Sequence, residues 1–178
     1  MAPITLHDKS FEIYLPEEKI LQAVQRVAGH INSDYQDKTP LFLAVLNGAF
    51  MFSADLLKEI TIPCEIAFIR VSSYEDMHST GQVKEVIGLK EDIQNRHVII
   101  LEDIVDTGYT IHALRQNLMA QEPASLEITA LLQKPDCLKH PLEVKYLCHT
   151  IPDDFVVGYG LDYNGLGRNL RDIYKVRP

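Results

Sequence analysis

Apolar residues recur along the chain in blocks that switch between helical and strand-like periods. Ile20, Leu21, Val24, Val27, Ala28 and Ile31 follow at helical spacing. Pro16-Glu17-Glu18 ahead of them supplies a helix start, with proline in the first turn and acids at the positive end of the dipole. Lys38-Thr39-Pro40 ends that helix. Leu41 to Leu46 is a continuous apolar run suited to a strand buried on both faces, and Asn47-Gly48 breaks it. A second helix is expected through Asp55, Leu56, Leu57 and Lys58. Ile62 to Val71, Val83 to Leu89 and Val98 to Leu101 read as strands. A turn at Thr107-Gly108 then leads into a helix carrying Ile111, Leu114 and Leu118. Leu126 to Leu132 is another apolar strand, followed by Lys134-Pro135, and Val144 to Cys148 and Phe155 to Val157 are short strands. Strands alternating with helices predict a mainly parallel, doubly wound α/β sheet. The single domain spans 1–178, with a core over roughly 35–150 and a small hood from roughly 1–34 and 151–178. The polar segment 72–82 has no periodicity and is long for a plain connection, so it reads as a loop and a candidate lid.

At 178 residues, with 46% hydrophobic and 24% charged positions, the chain has the makings of one globular domain. That composition excludes disorder, collagen-like repeats and a disulfide-stapled miniprotein. The net charge of −8 argues against broad nucleic-acid binding, which needs a basic footprint. A phosphorylated substrate is not excluded, because backbone amides and a metal ion can hold an anion. Three cysteines without a CxxC pattern argue against structural zinc or a disulfide framework and fit a reducing cytosol. Met1 to Asp8 lacks the basic start and apolar core of a signal peptide, and the apolar runs are too short to cross a bilayer. The expectation is a cytoplasmic protein with no membrane partner. The histidines form neither HxH nor HExxH, and the glycines 158, 160, 165 and 167 do not make a dinucleotide fingerprint.

The most informative stretch is 98–110. A buried strand ends in Glu102-Asp103, takes Ile104-Val105, and turns through Asp106-Thr107-Gly108-Tyr109-Thr110 into a helix. Ligands of open α/β sheets sit outside the carboxyl ends of strands, where this segment would lie. Free amides at the helix start, flanked by the Thr107 and Thr110 hydroxyls, are an apparatus for gripping a phosphate. Glu102 and Asp103 cannot both be buried cheaply as bare anions and call for a cation or ribose hydroxyls. Asp-Thr-Gly also marks aspartic proteases, but those are all-β, and a helical period follows Gly108. A phospho-receiver domain would gather acids after its first strand, whereas Asn47-Gly48-Ala49-Phe50 follows Leu46. A bare helix cap does not explain why five polar groups converge on one strand end.

The stretch 98–110 resembles the phosphoribosyl-diphosphate-binding motif of type I phosphoribosyltransferases. The resemblance covers most of the chain and is greatest to the hypoxanthine/guanine enzymes, through 45–50, 71–74, 131–135, 151–164 and Arg168. It implies the type I fold and transfer of a phosphoribosyl group to a purine, with Mg²⁺ as cofactor and pyrophosphate as product. By resemblance, Glu102 and Asp103 meet the ribose hydroxyls and the metal shell, with Asp162 anchoring a second ion. Thr107, Gly108, Tyr109 and Thr110 hold the 5′-phosphate, and Asp106 acts as the general base at the purine N7. Asn47, Gly48 and Arg168 meet pyrophosphate, in a loop that carries a non-proline cis peptide in this family. Lysine is frequent in the family where Asn47 and Tyr109 stand. Lys134, Phe155, Val156 and Asp162 form the purine site, and Ser73-Tyr74 belongs to the closing lid. The implied partners are phosphoribosyl diphosphate, hypoxanthine and guanine, with assembly as a homodimer or homotetramer. A nucleotide-binding regulator of the same fold, and an enzyme for another base such as xanthine, are the alternatives.

Overall fold

The chain opens with two strands that the apolar periodicity did not announce, β1 (Ile4–Leu6) and β2 (Lys9–Leu15), paired antiparallel. In the computed structural model, which describes residues 3–72 and 84–177 (backbone alone at 72 and 84–87), α1 (Glu17–Asp34) follows at once. Pro16 stands at its N-cap, and the first amide of the helix, on Glu17, is taken by Asp172 Oδ1 at 2.8 Å. The next elements are β3 (Leu41–Leu46), α2 (Phe50–Glu59), β4 (Glu65–Ser72), β5 (Lys84–Ile87), β6 (His97–Val105) and α3 (Tyr109–Met119). After them come β7 (Ser125–Gln133), a 3₁₀ turn at Pro135–Cys137, β8 (Tyr146–Thr150), β9 (Val156–Val157) and β10 (Ile173–Val176).

Among the described residues the strands make two sheets. The larger has the order β5-β4-β3-β6-β7-β8, parallel throughout except for the antiparallel edge strand β5. Alternate residues of β3 and β6 serve opposite faces, as the period of a strand requires. Phe42, Ala44, Ile99 and Leu101 pack with α1 and α2, whereas Leu41, Leu43, Val45, Val98 and Ile100 pack with α3. The sheet is therefore covered on both sides, as its continuous apolar strands predicted. From β3 the chain winds outward through α2 to β4, and from β6 it winds the other way through α3 to β7. The boundary between β3 and β6 is the switch point of the sheet, where ligands of such folds collect.

Among the boundaries that differ from the periodicity, three change how the strands are read. β6 does not stop at Leu101 but runs on to Val105, because β7 continues to pair with it as far as Gln133. β4 starts at Glu65 rather than Ile62, since Pro63 has no amide to give to a ladder. Phe155 to Val157 shrinks to β9, which joins the second sheet instead of the first.

That second, antiparallel sheet has the order β1-β2-β10-β9 and draws on both ends of the chain. Phe11, Val157 and Tyr174 form its small core. The first helix, grouped with the hood by sequence, lies instead against α2 and β8 on the large sheet. Tyr159 pins the hood to the core: its ring is fully buried, and its hydroxyl donates to Asp55 Oδ2 of α2 at 2.6 Å. Among the described residues no helix is long and apolar enough to cross a membrane.

The Tyr159 hydroxyl gives a direct check on that docking. Tyr159→Phe is expected to lose about 1.5 kcal/mol in urea unfolding, the low end for a bond to a charged acceptor, because Asp55 keeps Lys58 as partner at 2.8 Å. A midpoint equal to that of the parent chain would mean that this bond does not hold the hood.

Candidate active site

β3 and β6 hydrogen-bond only from Leu41–Val98 to Ala44–Leu101, although each strand continues beyond that point with its other neighbour. The last residues of β6 therefore leave β3, and a cavity of about 280 Å³ opens between them. Its walls include Asn47, Gly48, Glu102, Asp103, Asp106, Thr107, Gly108, Thr110, Asp162 and Arg168, so residues far apart in sequence converge there. Glu102 is buried, and its Oε2 finds no hydrogen-bond partner among the described residues. Burial first, and then the neighbouring Asp103 carboxylate, pushes the Glu102 carboxyl well above its ordinary range. Asp103 is raised as well, by burial, against the pull of the Ile104 amide that donates to it at 2.8 Å. An orphaned carboxylate oxygen beside a second carboxyl suits a hard cation that takes oxygen ligands, and Mg²⁺ fits that donor set.

Past Val105 the chain turns through Asp106-Thr107-Gly108 into α3. Gly108 takes φ +80° at the N-cap, a conformation glycine adopts without the steric penalty of a side chain. The amides of Asp106, Thr107 and Gly108 donate to no backbone acceptor among the described residues, and the first amides of α3 extend the row. The Thr107 carbonyl is held from behind by the Lys139 amide at 3.0 Å, which fixes the loop. The result is a nest of donors with two hydroxyls, Thr107 and Thr110, beside it. Tyr109 does not join them. Its ring is 55% exposed and lies edge-on to His140 at 5.0 Å, outside the cavity.

The β3–α2 loop closes the opposite wall. The Leu46–Asn47 peptide is cis, as the resemblance implied. Gly48 passes so close to Asp103 that a Cβ there would overlap its carboxylate. Gly160, at φ +101°, meets the Gly48 carbonyl in the same way, so hood and core touch through bare backbone. Arg168 donates to the Gly160 carbonyl at 2.7 Å and pairs with Asp162 at 2.6 Å. The other oxygen of Asp162 accepts from the Gly165 amide at 2.7 Å. Asp162 thus lines the cavity, but both its oxygens are engaged, and it does not gather with Glu102 and Asp103 into a three-donor cluster. The group of that kind found among the described residues is Asp106, Cys137 and Asp153.

A second cavity of about 200 Å³ adjoins the first and shares Asp103, Ile104, Asp106, Asp162 and Arg168 with it. Its far wall carries Lys134, Asp154, Phe155, Val156 and Leu161. Phe155, 44% exposed, is steadied by Phe11 and Tyr163, whose rings lie 6.2 and 5.6 Å away. Val156 is buried and pairs with Lys175 across the small sheet. The Lys134 side chain is only 8% exposed, and its ammonium donates to Asp106 at 3.1 Å and to Asp153 at 2.9 Å. Burial works against that charge, but the Asp153 and Asp106 carboxylates outweigh it and hold the amine above its ordinary value. Sequence reasoning assigned Lys134 and Asp106 separate roles and did not single out Asp153. The trace it left is the acidic pair Asp153-Asp154 just ahead of Phe155. Ser73, Tyr74 and the expected lid lie outside the described residues.

Comparison with known proteins agrees with this geometry. Residues 10–164 match the model of the phosphoribosyl transferase domain. The chain is similar to the hypoxanthine-guanine phosphoribosyltransferase of Staphylococcus aureus strain Mu50, 40% identical over 97% of both chains. It is also similar to that of Crithidia fasciculata, 39% identical over 97% of this chain and 88% of the relative. Among solved structures, a hypoxanthine phosphoribosyltransferase from Staphylococcus aureus superposes with a TM-score of 0.90 at 41% identity, covering 94% of this chain and 91% of the other.

The acid pair makes stability depend on pH with a definite sign. Both carboxyls bind a proton more readily folded than unfolded, so the folded state loses stability as pH rises from about 4 through their raised values. Glu102→Gln is expected to unfold at a higher temperature than the parent chain near about pH 8, with the gain gone near about pH 3. Mg²⁺ should raise the parent's midpoint more than the variant's. A parent chain as stable as the variant at high pH without metal would mean that the pair carries no such penalty.

Proposed function

Because the chain belongs to the phosphoribosyltransferase family, we propose that it transfers the phosphoribosyl group of phosphoribosyl diphosphate to N9 of hypoxanthine or guanine. The products are the nucleoside monophosphate and pyrophosphate, which makes this a purine-salvage enzyme. One observation carries the choice of substrates: two adjoining cavities of different chemistry share Asp106 on their common wall. One holds acids and free amides suited to a sugar phosphate. The other offers a buried ammonium and an aromatic ring suited to a 6-oxopurine. Free cysteines at 64, 137 and 148 fit action in a reducing cytoplasm.

The residues divide the work as follows. The amides of 106–110 and the hydroxyls of Thr107 and Thr110 bind the 5′-phosphate and orient the sugar. Glu102 and Asp103 receive the ribose hydroxyls and would hold Mg²⁺, which when bound supplies Lewis-acid help to the leaving pyrophosphate. Asn47 and Gly48 offer backbone, and Arg168 a guanidinium, on the pyrophosphate side of the same cavity. Phe155 stacks on the purine, and Lys134 donates to its exocyclic oxygen. Asp106, standing between the two cavities, takes the proton from the purine N7 as the new bond forms at N9. Fixed donors on both sides hold the reacting groups in place, which is where most of the rate gain in such a displacement arises.

The deciding experiment is a panel of hypoxanthine, guanine, xanthine and adenine with phosphoribosyl diphosphate and Mg²⁺, followed by pyrophosphate release. Turnover with adenine alone, or with none of the bases, would overturn the proposal. Asp106→Asn should lower kcat by ~10²–10⁴ while leaving nucleotide 5′-phosphate binding within a few-fold. Lys134→Met keeps much of the stem and removes the donors. It should cost hypoxanthine and guanine about 1.5–3 kcal/mol in kcat/KM and narrow the rejection of adenine. Equal kcat/KM for hypoxanthine before and after that change would remove Lys134 from the base site.

A further inference from the structure

We propose that Asp153 is the positioning residue of the base site: it holds the Lys134 ammonium in place while Lys134 exchanges Asp106 for the oxygen of the incoming purine. This assignment deepens the function proposed above and rests on it. The geometry sets a problem that Asp153 solves. A lysine ammonium has three donors, and two are already spent on Asp106 and Asp153. If Asp106 were the sole partner, the purine would have to break the one ion pair of a nearly buried cation. Otherwise Asp106 would stay tied to that cation while acting as a base. Losing the only counter-charge of a buried ammonium is costly, and a base hydrogen-bonded to a cation accepts a proton poorly.

Asp153 stands on a different element from either partner. It lies on the segment between β8 and β9, and that segment is fastened to the last residue of β7, next to Lys134. The Ile151 amide donates to the Gln133 carbonyl at 2.9 Å, and the Asp154 amide closes a tight turn on Pro152 at 2.8 Å. Its carboxylate is largely exposed, so keeping it ionised costs little desolvation. Lys134, and after it Cys137, holds Asp153 below the usual carboxylate range. The Cys137 sulfur lies within 4.8 Å of oxygens of both Asp106 and Asp153, so the Lys134 ammonium meets its two carboxylates beside a neutral thiol. Asp153 can therefore keep its bond to Lys134 while the third donor, and then the one released by Asp106, turn to the purine.

The test compares Asp153→Ala, Asp153→Asn and Asp153→Glu with the parent enzyme, using hypoxanthine and guanine at saturating phosphoribosyl diphosphate. The alanine and asparagine variants should raise KM for both bases by about 10-fold, the loss of one charge-assisted hydrogen bond. KM for phosphoribosyl diphosphate should stay within a few-fold, and the glutamate variant should recover most of the loss. In a Lys134→Met background, Asp153→Ala should add no further rise in KM, because the residue acts through that lysine. A general structural defect would move both KM values, would not be rescued by glutamate and would add to Lys134→Met. That pattern, or an unchanged KM for the bases in the alanine and asparagine variants while Lys134→Met is impaired, would overturn the role of Asp153 alone. An unimpaired Lys134→Met would instead overturn the base-site assignment beneath it.

Discussion

Two parallel strands that stop pairing before they end are the constraint on which the rest of the molecule turns. Ala44 and Leu101 are the last partners of β3 and β6, yet both strands stay fixed by neighbours on their far sides. The gap that results cannot close without breaking those outer ladders. Its floor is the tail of β6, so Glu102 and Asp103 are carried into a space that the strand order creates and that no side chain among the described residues fills. The cost of that arrangement appears as an orphaned carboxylate oxygen and two carboxyls displaced from their ordinary range. A buried carboxylate oxygen left unpaired beside a row of unpaired amides, all facing one cavity, is the mark of a place kept for a ligand.

The two halves of the site handle charge in opposite ways. On the sugar side the acids share one guanidinium, Arg168, which is already paired with Asp162, and the row of neutral amides offers an anion site that needs no basic surface in a protein of net charge −8. On the base side a single ammonium is overmatched by two carboxylates. Each half is thus short of one kind of group, and the proposed substrates would bring what is missing: hydroxyls and a metal on one side, a carbonyl acceptor on the other. Asp106 belongs to both halves, which is why the proposed mechanism gives the proton transfer to it.

Much of this was legible in the sequence because local rules and tertiary context agree there. The apolar run 41–46, the helical spacing of Ile111, Leu114 and Leu118, and the acids of 98–110 each point one way, and the fold places them accordingly. The hood was less legible. Phe11, Ile13 and Leu15 alternate as a strand should, but β2 is stabilised by β10, more than a hundred and fifty residues away, and neither reads as a strand alone. The length of β6 was hidden for a related reason: polar residues end an apolar run, while backbone pairing with β7 carries the strand on through them. The bond between Lys134 and Asp106, and the part of Asp153, depend on three loops meeting, a relation that spacing along one chain does not encode. Tyr109 is divided: its amide stays in the row at the start of α3, while helix geometry turns its ring toward His140.

The hood also bears on how the polypeptide reaches its working form. Strand β2 is made long before its partner β10, Ile173–Val176, so the sheet that walls the second cavity cannot close until those residues have left the ribosome. The large parallel sheet, by contrast, is complete once Thr150 has been synthesised. Until β10 arrives, Phe11 lacks its cover and the β1–β2 hairpin presents an open edge, the kind of surface that invites wrong partners during synthesis. A nascent chain therefore carries the β3–β6 wall of the first cavity before it has the hood wall of the second. Translation itself delays the moment at which both reactants can be held together.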